Sequence, residues 1–215
     1  MMATRRAGVL IPLFSLRSSA GWGIGDIGDV AAACAWLQGA GVRILQMLPL
    51  NEMAPGTQSP YSALTAMAID PIYIRVTDVA DWQGAGGPST LTPADRADIE
   101  MARLAARVQY APVRRVKLRA LETAFAHFVA HEWTADTARA SALRAFLAAE
   151  AWWLDDFALF RAVHDEQGGR AWTEWPDALR ARDVRALADA RHALARGVLF
   201  HGYLQWLASE QWAAA

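Results

Sequence analysis

The first part of the chain combines short apolar runs, turns and one segment with helical periodicity. Residues 8–13 form a continuous apolar run with β-branched side chains, which is typical of a strand buried on both faces. Residues 29–38 follow helical spacing, and glycines at positions 39 and 41 predict where that helix ends. Residues 43–48 predict a second buried strand, which Pro49 closes. The predicted apolar face of the helix comprises Val30, Ala33, Cys34 and Leu37.

The order strand, helix, strand predicts a βαβ unit, in which two parallel strands are joined by a helical crossover. Residues 72–76 then alternate apolar and polar side chains, so they predict a half-exposed strand. Beyond Pro88 the pattern becomes helical. Thr92, followed by Pro93 and Asp95, predicts a helix N-terminus with an N-cap and a proline at the first helical position.

Two apolar stripes with spacings of three and four residues predict long, packed helices in this second part. The glycines at 168 and 169 predict the end of the second long helix, and a last helix is predicted over residues 183–211. The first stripe is Leu118, Leu121, Phe125 and Phe128, and the second is Trp153, Phe157 and Phe160.

The predicted elements do not complete an α/β domain, because a parallel sheet needs both faces covered and its edges protected. Either the helices cap a very small sheet, or further strands follow Ala215. We expect the second, since an eight-stranded α/β barrel takes about 250 residues. The pattern alone therefore predicts an unfinished α/β domain, with strands, turns and one helix in residues 1–88 and helices in residues 89–215.

Composition narrows the function classes. The chain has 215 residues, 54% of them hydrophobic, and a formal net charge of −1. This near-neutral charge argues against nucleic acid or an anionic membrane as partner. The single cysteine, Cys34, allows no internal disulfide and no thiolate zinc site. Because no apolar run approaches the ~20 residues that span a bilayer, we expect a soluble, cytoplasmic protein.

Several residue patterns resemble functional motifs, but a structural role is the stronger interpretation of each. Gly23, Gly25 and Gly28 match G-x-G-x-x-G, yet they do not follow the first strand directly, and Asp26 would put a carboxylate where phosphates should sit. We expect a tight loop in which Asp26 caps the next helix. His127 and His131 have the four-residue spacing of a two-histidine metal site, but no third ligand is evident.

Two carboxylate pairs and four tryptophans fall in the helical part. The pairs Asp155–Asp156 and Asp165–Glu166 are adjacent in sequence, and adjacent helical residues point in different directions. The pairs therefore favour a structural role. Indole rings suit the apolar faces of sugars, but aromatic residues at helical spacing are more often core. The tryptophans are Trp152, Trp153, Trp172 and Trp175.

The loop Ser59-Pro60-Tyr61 follows the second predicted strand. Loops at the carboxyl ends of parallel strands carry the chemistry of α/β barrels. A proline beside a tyrosine fixes the backbone and presents the ring at a set angle. The residues alone leave two interpretations equally open: a functional tyrosine, or an ordinary turn with a packed tyrosine.

An ordered set of motifs resembles the 4-α-glucanotransferases (amylomaltases) of glycoside hydrolase family 77. The N-terminal motifs are residues 6–16, Gly-Trp-Gly-Ile-Gly-Asp-Ile-Gly at 21–28, Leu-Gln-Met-Leu-Pro-Leu-Asn at 45–51, Ser-Pro-Tyr at 59–61 and Pro-Ile-Tyr-Ile at 71–74. The helical motifs are residues 153–160, Trp-Thr-Glu-Trp-Pro at 172–176, Tyr-Leu-Gln-Trp at 203–206 and Gln-Trp at 211–212. Glu52, Met53 and Asp70 depart from the family pattern.

This resemblance implies an α/β fold class in which residues 1–88 hold the first two strands of a (β/α)8 barrel and residues 89–215 form a large, mainly α-helical inserted subdomain. It also implies transfer of an α-1,4-glucan segment to the 4-hydroxyl of an acceptor, with retention and without cofactor or metal. It implies that Tyr61 stacks on the sugar and that Ser59 and Pro60 hold its loop. The family's catalytic carboxylates lie on later strands and match no residue here, so we assign no catalytic residue. The expected partners are α-1,4-glucans and maltooligosaccharides, and the oligomeric state stays open.

The resemblance therefore predicts the N-terminal portion of a glucanotransferase, inactive by itself. Two alternatives belong to other classes: a non-catalytic glucan-binding remnant and a non-functional truncation. A hydrolytic α-amylase-like enzyme is a weaker rival, because the set of motifs fits the transferases better.

Overall fold

The computed structural model describes residues 6–54, 56–57 and 59–215, and it begins with the predicted βαβ unit. Strand β1 is Gly8–Leu10, helix α1 is Val30–Gly39 and strand β2 is Ile44–Gln46. The strands are parallel, with Val9 opposite Leu45. Gly41 adopts a φ of 80°, which only glycine takes without strain, directly after the helix. The predicted strand, helix, strand order is therefore confirmed.

The prediction that both strands are buried on both faces is wrong for the described residues. Leu10 is 52% exposed and Ile44 is 47% exposed, and Cys34 on the predicted apolar face of α1 is exposed as well. In the described ranges the sheet has two strands, so each strand has one neighbour and little cover on its faces. Large apolar side chains of both strands thus lie at the surface of the described residues.

The predicted half-exposed strand over residues 72–76 is also wrong. Two short 3₁₀ helices, Pro71–Tyr73 and Val76–Asp78, occupy this region, and Asp70 caps the first by accepting a hydrogen bond from the Ile72 N–H at 3.0 Å. The side chains from Pro71 to Val76 are all buried. The alternating pattern predicted a face exposed to water, but its charged residue, Arg75, is buried in an ion-pair network.

Three helices complete the first compact unit. Helix α2 is Ala80–Gly84, helix α3 is Pro93–Leu104 and helix α4 is Tyr110–Phe128. Thr92 and Asp95 form the predicted start of α3, since each side chain accepts a hydrogen bond from the other residue's N–H, at 3.1 and 3.0 Å. Of the predicted stripe on α4, Leu121, Phe125 and Phe128 are buried and Leu118 is half-buried.

The chain divides into two compact units. One extends to Phe128 and includes Leu207–Ala215, and the other is Val129–Trp206. A π-helical turn, Val129–Trp133, precedes helix α5, Ala138–Glu166. Gly168 and Gly169 follow with φ values of 66° and 77°, as the predicted glycine stop requires.

The helices that follow α5 are shorter than the sequence predicts. Helix α6 is Asp177–Arg180, helix α7 is Val184–Ala193 and helix α8 is Ala195–Ala214. The single helix predicted over 183–211 is therefore wrong, because Leu194 leaves helical geometry. Leu194 packs against a core formed by Leu159, Val163 and Trp175, and neither proline nor glycine marks the break. Among the described residues, no helix is long and apolar enough to cross a membrane.

A buried network of four charged side chains organises the first unit. Lys117 on α4 is the chain's only lysine. Its ammonium group donates to the Asp26 carboxylate at 3.1 Å and to the carbonyl oxygens of Ile72 and Ile74 at 2.8 and 3.0 Å. Arg75 donates through Nε to Asp26 at 2.7 Å.

The Arg75 guanidinium also pairs with Asp29. Burial alone would lower the pKa of Arg75, but its hydrogen bonds to Asp26 and Asp29 raise it. Burial lowers the pKa of Lys117, and Asp26 opposes that change. Two cations thus balance two carboxylates, and the network ties the loop before α1 to residues 72–75 and to α4.

Replacing Lys117 by Met should destabilise the chain by about 3 kcal/mol, because Asp26 loses a cation and two buried carbonyls lose their donor. The matched control is Arg115→Met on the same helix, where an exposed pair with Asp98 is broken at a cost below about 1 kcal/mol. Urea unfolding measures both. Equal losses of unfolding free energy in the two variants would show that the buried ammonium group contributes no more to stability than the exposed guanidinium.

Candidate functional site

The loop that carries Tyr61 has a narrow, hydrogen-bonded base. Isolated antiparallel bridges pair Asn51 with Ile69 and Met53 with Ala63. Further backbone hydrogen bonds join the two arms, from the Ala54 N–H to the Ser62 carbonyl at 2.8 Å and from the Asp70 N–H to the Leu50 carbonyl at 2.8 Å. The loop is therefore fixed close to its tip, although it lies outside any regular sheet.

The tip is a turn built around Pro60. The Ser62 N–H donates to the Ser59 carbonyl at 3.0 Å, which closes a four-residue turn with proline in its favoured second position. The Ser59 hydroxyl accepts a long hydrogen bond, 3.4 Å, from the Tyr61 N–H. Tyr61 itself is 72% exposed. The Tyr61 ring is therefore not packed against the described residues, and it is accessible there to a ligand.

Asp70 clamps the base of this loop. Its buried carboxylate accepts hydrogen bonds from the N–H groups of Met53, at 3.2 Å, and Ile72, at 3.0 Å. Arg114 on α4 binds both carboxylate oxygens at 2.7 Å in a two-pronged pair. Burial alone would lower the pKa of Arg114, but the bonds to Asp70 outweigh burial and raise it. One side chain therefore joins the loop base, the following 3₁₀ turn and helix α4.

Sequence reasoning identified Asp70 only as a departure from the family pattern and missed Arg114. Forty-four positions separate the two residues, and no local spacing connects them. The available signal was weak: an aspartate before Pro71 predicts a cap, but not a buried carboxylate that requires a cation.

The glycine motif serves close packing. A Cβ at Gly25 would overlap the Leu13 carbonyl oxygen, and a Cβ at Gly28 would overlap the Arg75 guanidinium. Asp26 is the N-cap of a 3₁₀ turn, Ile27–Asp29, that leads into α1, as the tight-loop interpretation expects. Its carboxylate is engaged with Arg75 and Lys117, which leaves no place for a phosphate in this loop.

The other sequence candidates are distributed over both units. His127 belongs to α4 and His131 to the π-helical turn, and the described residues contain no group of three side chains placed to hold a metal ion. Asp156 pairs with Arg182 at 2.8 Å, and Asp165 accepts a hydrogen bond from His201 at 2.9 Å. Those two carboxylates therefore have structural partners.

The four tryptophans have different environments, so core packing explains only part of them. Trp175 is buried, and Trp153 is half-buried with its indole N–H donating to Glu150 at 2.6 Å. Trp152 is 73% exposed and Trp172 is 54% exposed.

Comparison with solved structures places this architecture among the amylomaltases. The amylomaltase from Streptococcus agalactiae, solved in complex with acarbose, superposes with a TM-score of 0.76 at 28% identity. The match covers 98% of this chain and 40% of that one. Over the length of the present chain, the fold is thus that of an amylomaltase.

The family follows from the sequence. The sequence model of the 4-alpha-glucanotransferase family matches residues 11–215, so the chain belongs to this family. The 4-alpha-glucanotransferase of Thermus thermophilus is 35% identical over 199 residues, covering 90% of this chain and 36% of that protein. The 4-alpha-glucanotransferase of Synechocystis is 32% identical, and the match covers 99% of this chain and 40% of that protein. The chain thus spans 36–40% of the length of these two relatives.

Removing the guanidinium by Arg114→Met should cost about 3–5 kcal/mol, because Asp70 would remain buried without a cation. The double variant Asp70→Asn/Arg114→Met should recover a substantial part of that loss, since no buried charge is then unpaired. Urea unfolding of both single variants and the double variant measures the coupling. A double variant no more stable than Arg114→Met would contradict the clamp.

The His201–Asp165 pair predicts lower stability in acid. Burial is the largest cause lowering the pKa of His201, and the hydrogen bond to Asp165 opposes it only partly. The unfolded imidazole binds a proton near pH 6.5, so between that value and the lower folded pKa the unfolded state takes up more protons. Stability should therefore fall as the pH decreases from about 7.5 to about 5.5.

His201→Gln is the matched control, because its amide can still donate to Asp165 but does not titrate. Its urea midpoint should change less over the same pH interval than that of the unchanged chain. Identical pH dependence in the two proteins would exclude His201 as the source.

Proposed function

We propose that this chain is part of a 4-α-glucanotransferase, which transfers an α-1,4-glucan segment to the 4-hydroxyl of an acceptor glucan or glucose with retention. Family membership over residues 11–215 supports the activity. The observation that carries the assignment of a site is the exposed Tyr61 ring on a turn fixed by Pro60 and by the Asp70–Arg114 clamp. Tyr61 stacks on a sugar ring, and Ser59 and Pro60 hold the loop.

The proposed architecture is the start of a (β/α)8 barrel, with β1, α1 and β2 as its first strand-helix-strand unit. The exposed apolar side chains of Leu10 and Ile44 support it, because further strands and helices would cover them. We propose residues 1–88 as the barrel part and 89–215 as the helical insertion. The compact units divide elsewhere because α3 and α4 pack with the first segment.

The catalytic step requires two carboxyl groups about 5–5.5 Å apart, one as nucleophile and one as general acid/base. Asp26, Asp29 and Asp70 are unsuited to either role, because all three are buried and paired with cations. Both oxygens of each carboxylate already accept hydrogen bonds within the protein, so none is free to attack the sugar or to protonate a leaving group. We therefore propose that the catalytic carboxylates lie outside this chain's sequence.

The proposed partners are α-1,4-glucans and maltooligosaccharides, with neither nucleic acid nor membrane. The S. agalactiae neighbour, solved with acarbose, supports a carbohydrate ligand. We propose a cytoplasmic location, and the free, exposed thiol of Cys34 is compatible with a reducing compartment.

Tyr61→Ala, in a protein extended to the length of its relatives, should lower transglycosylation kcat/KM about 10- to 100-fold with little change in Tm. The exposed ring contributes to sugar binding and not to folding. Tyr61→Phe is the matched control and should retain activity within a few-fold, since the stacking surface remains. Parallel losses of Tm and activity in Tyr61→Ala would contradict the role.

The isolated 215-residue chain should release no glucose from maltotriose, because it lacks the two catalytic carboxyl groups. The measurement is glucose release by the purified chain, with the extended protein as positive control. Sustained glucose release by the isolated chain would overturn this proposal.

A further inference from the structure

A pocket in the second unit lies between helices α5, α6 and α7. Its volume is about 330 Å³, within the range of roughly 300–1,000 Å³ usual for small-molecule sites. The floor is apolar and belongs to the core of this unit, where Leu159, Val163 and Trp175 are buried together. The pocket is thus part of a packed structure and not a gap between loose segments.

An indole ring lines one side of this pocket. Trp172 lines the pocket and is 54% exposed, whereas Trp175, three residues further along the chain, is buried. Phe160 lines the pocket beside Trp175, with ring centroids 5.3 Å apart. A half-exposed indole next to an ordered aromatic floor offers an apolar face on which a flat or ring-shaped ligand can stack.

The polar rim contains charges of both signs. Arg182 pairs with Asp156 at 2.8 Å, and Arg180 pairs with Asp177 at 2.7 Å. These exposed pairs contribute little to stability, so their donors and acceptors can turn to a ligand at low cost. The pocket lining itself holds Asp156, Arg180 and Arg182, whereas Asp177 is not part of it. Because each of the two guanidinium groups already has a carboxylate partner, the rim suits a neutral ligand with many hydroxyl groups better than an ion.

The backbone at Arg182 gives an independent indication. Arg182 has a φ of 55°, in the left-handed region that favours glycine. It occupies the position after α6 where the Arg182 and Asp183 N–H groups bond back to the Leu179 and Ala178 carbonyls, at 3.1 and 2.9 Å. Glycine would close this helix without strain. Strain of this kind is often retained where the side chain has a function.

We infer that this pocket is a carbohydrate-binding site for α-1,4-glucan, separate from the Tyr61 loop, in which Trp172 stacks on a sugar ring and Arg182 and Asp156 bind its hydroxyls. The choice of α-1,4-linked sugars rests on the proposed function. The stacking ring and the neutral polar rim follow from the pocket itself.

Titration of the 215-residue chain with maltohexaose, followed by calorimetry, tests the site. Trp172→Ala should raise the Kd for maltohexaose at least about five-fold, because the stacking surface is lost. Trp152→Ala is the matched control: this indole is in the same unit and more exposed than Trp172 but does not line the pocket, so the Kd of this variant should stay within about two-fold.

Arg182→Gly separates binding from folding. Glycine relieves the left-handed strain, so the Tm should stay the same or rise, whereas the Kd should increase about three-fold because one donor is lost. Cellohexaose, the β-1,4-linked isomer, should bind more weakly than maltohexaose to the unchanged chain.

Three results would overturn the inference: no saturable maltohexaose binding to the chain, an unchanged Kd in Trp172→Ala, or an unchanged Kd in Arg182→Gly. Its failure is distinguishable from that of the proposed function, which is tested by transfer activity in the extended protein and by Tyr61→Ala. An active extended protein with an unchanged Kd in Trp172→Ala overturns only the second site.

Discussion

The first unit depends on placing two cations from one helix face into a buried acidic environment. Lys117 and Arg114 are one turn apart on α4, and they bind Asp26 and Asp70 respectively. Between these contacts runs the segment from Pro71 to Val76, whose side chains are buried and two of whose carbonyls accept hydrogen bonds from Lys117. Desolvating these charges is expensive, and their mutual pairing and hydrogen bonds offset part of that cost. Removing one charged side chain leaves its partner's charge uncompensated. The pairs therefore favour one packing of the loop against helix α4.

This constraint extends to the candidate site. Tyr61 is exposed, but its loop ends at the buried Asp70, and Arg114 binds both oxygens of that carboxylate. The tip therefore needs little ordering of its own beyond the turn at Pro60. A fixed loop with an exposed ring is suited to ligand stacking, because the entropy cost of ordering the loop is met during folding and not during binding.

The sequence predicts local structure well where the determining contacts are local. The βαβ order, the Thr92–Asp95 capping box and the glycine stop after α5 all follow from residues within a few positions of each other. The prediction of a strand over residues 72–76 was wrong because the partners of Arg75 are forty-six and forty-nine positions away. The sequence around Arg75 therefore does not distinguish a buried cation from an exposed one. The Arg114–Asp70 clamp was missed for the same reason. Strand burial was misjudged because it depends on cover that the described residues do not supply.

A crystal structure of the extended protein with a bound maltooligosaccharide is the most direct test of the central claim, that buried charge pairs hold Tyr61 ready for a glucan. We expect a sugar ring stacked on Tyr61, with the Asp70–Arg114 pair intact and the backbone of residues 59–61 displaced by less than about 1 Å from the unbound form. A glucan bound in the catalytic cleft without contact to Tyr61, or a loop that reorganises to reach it, would contradict the account.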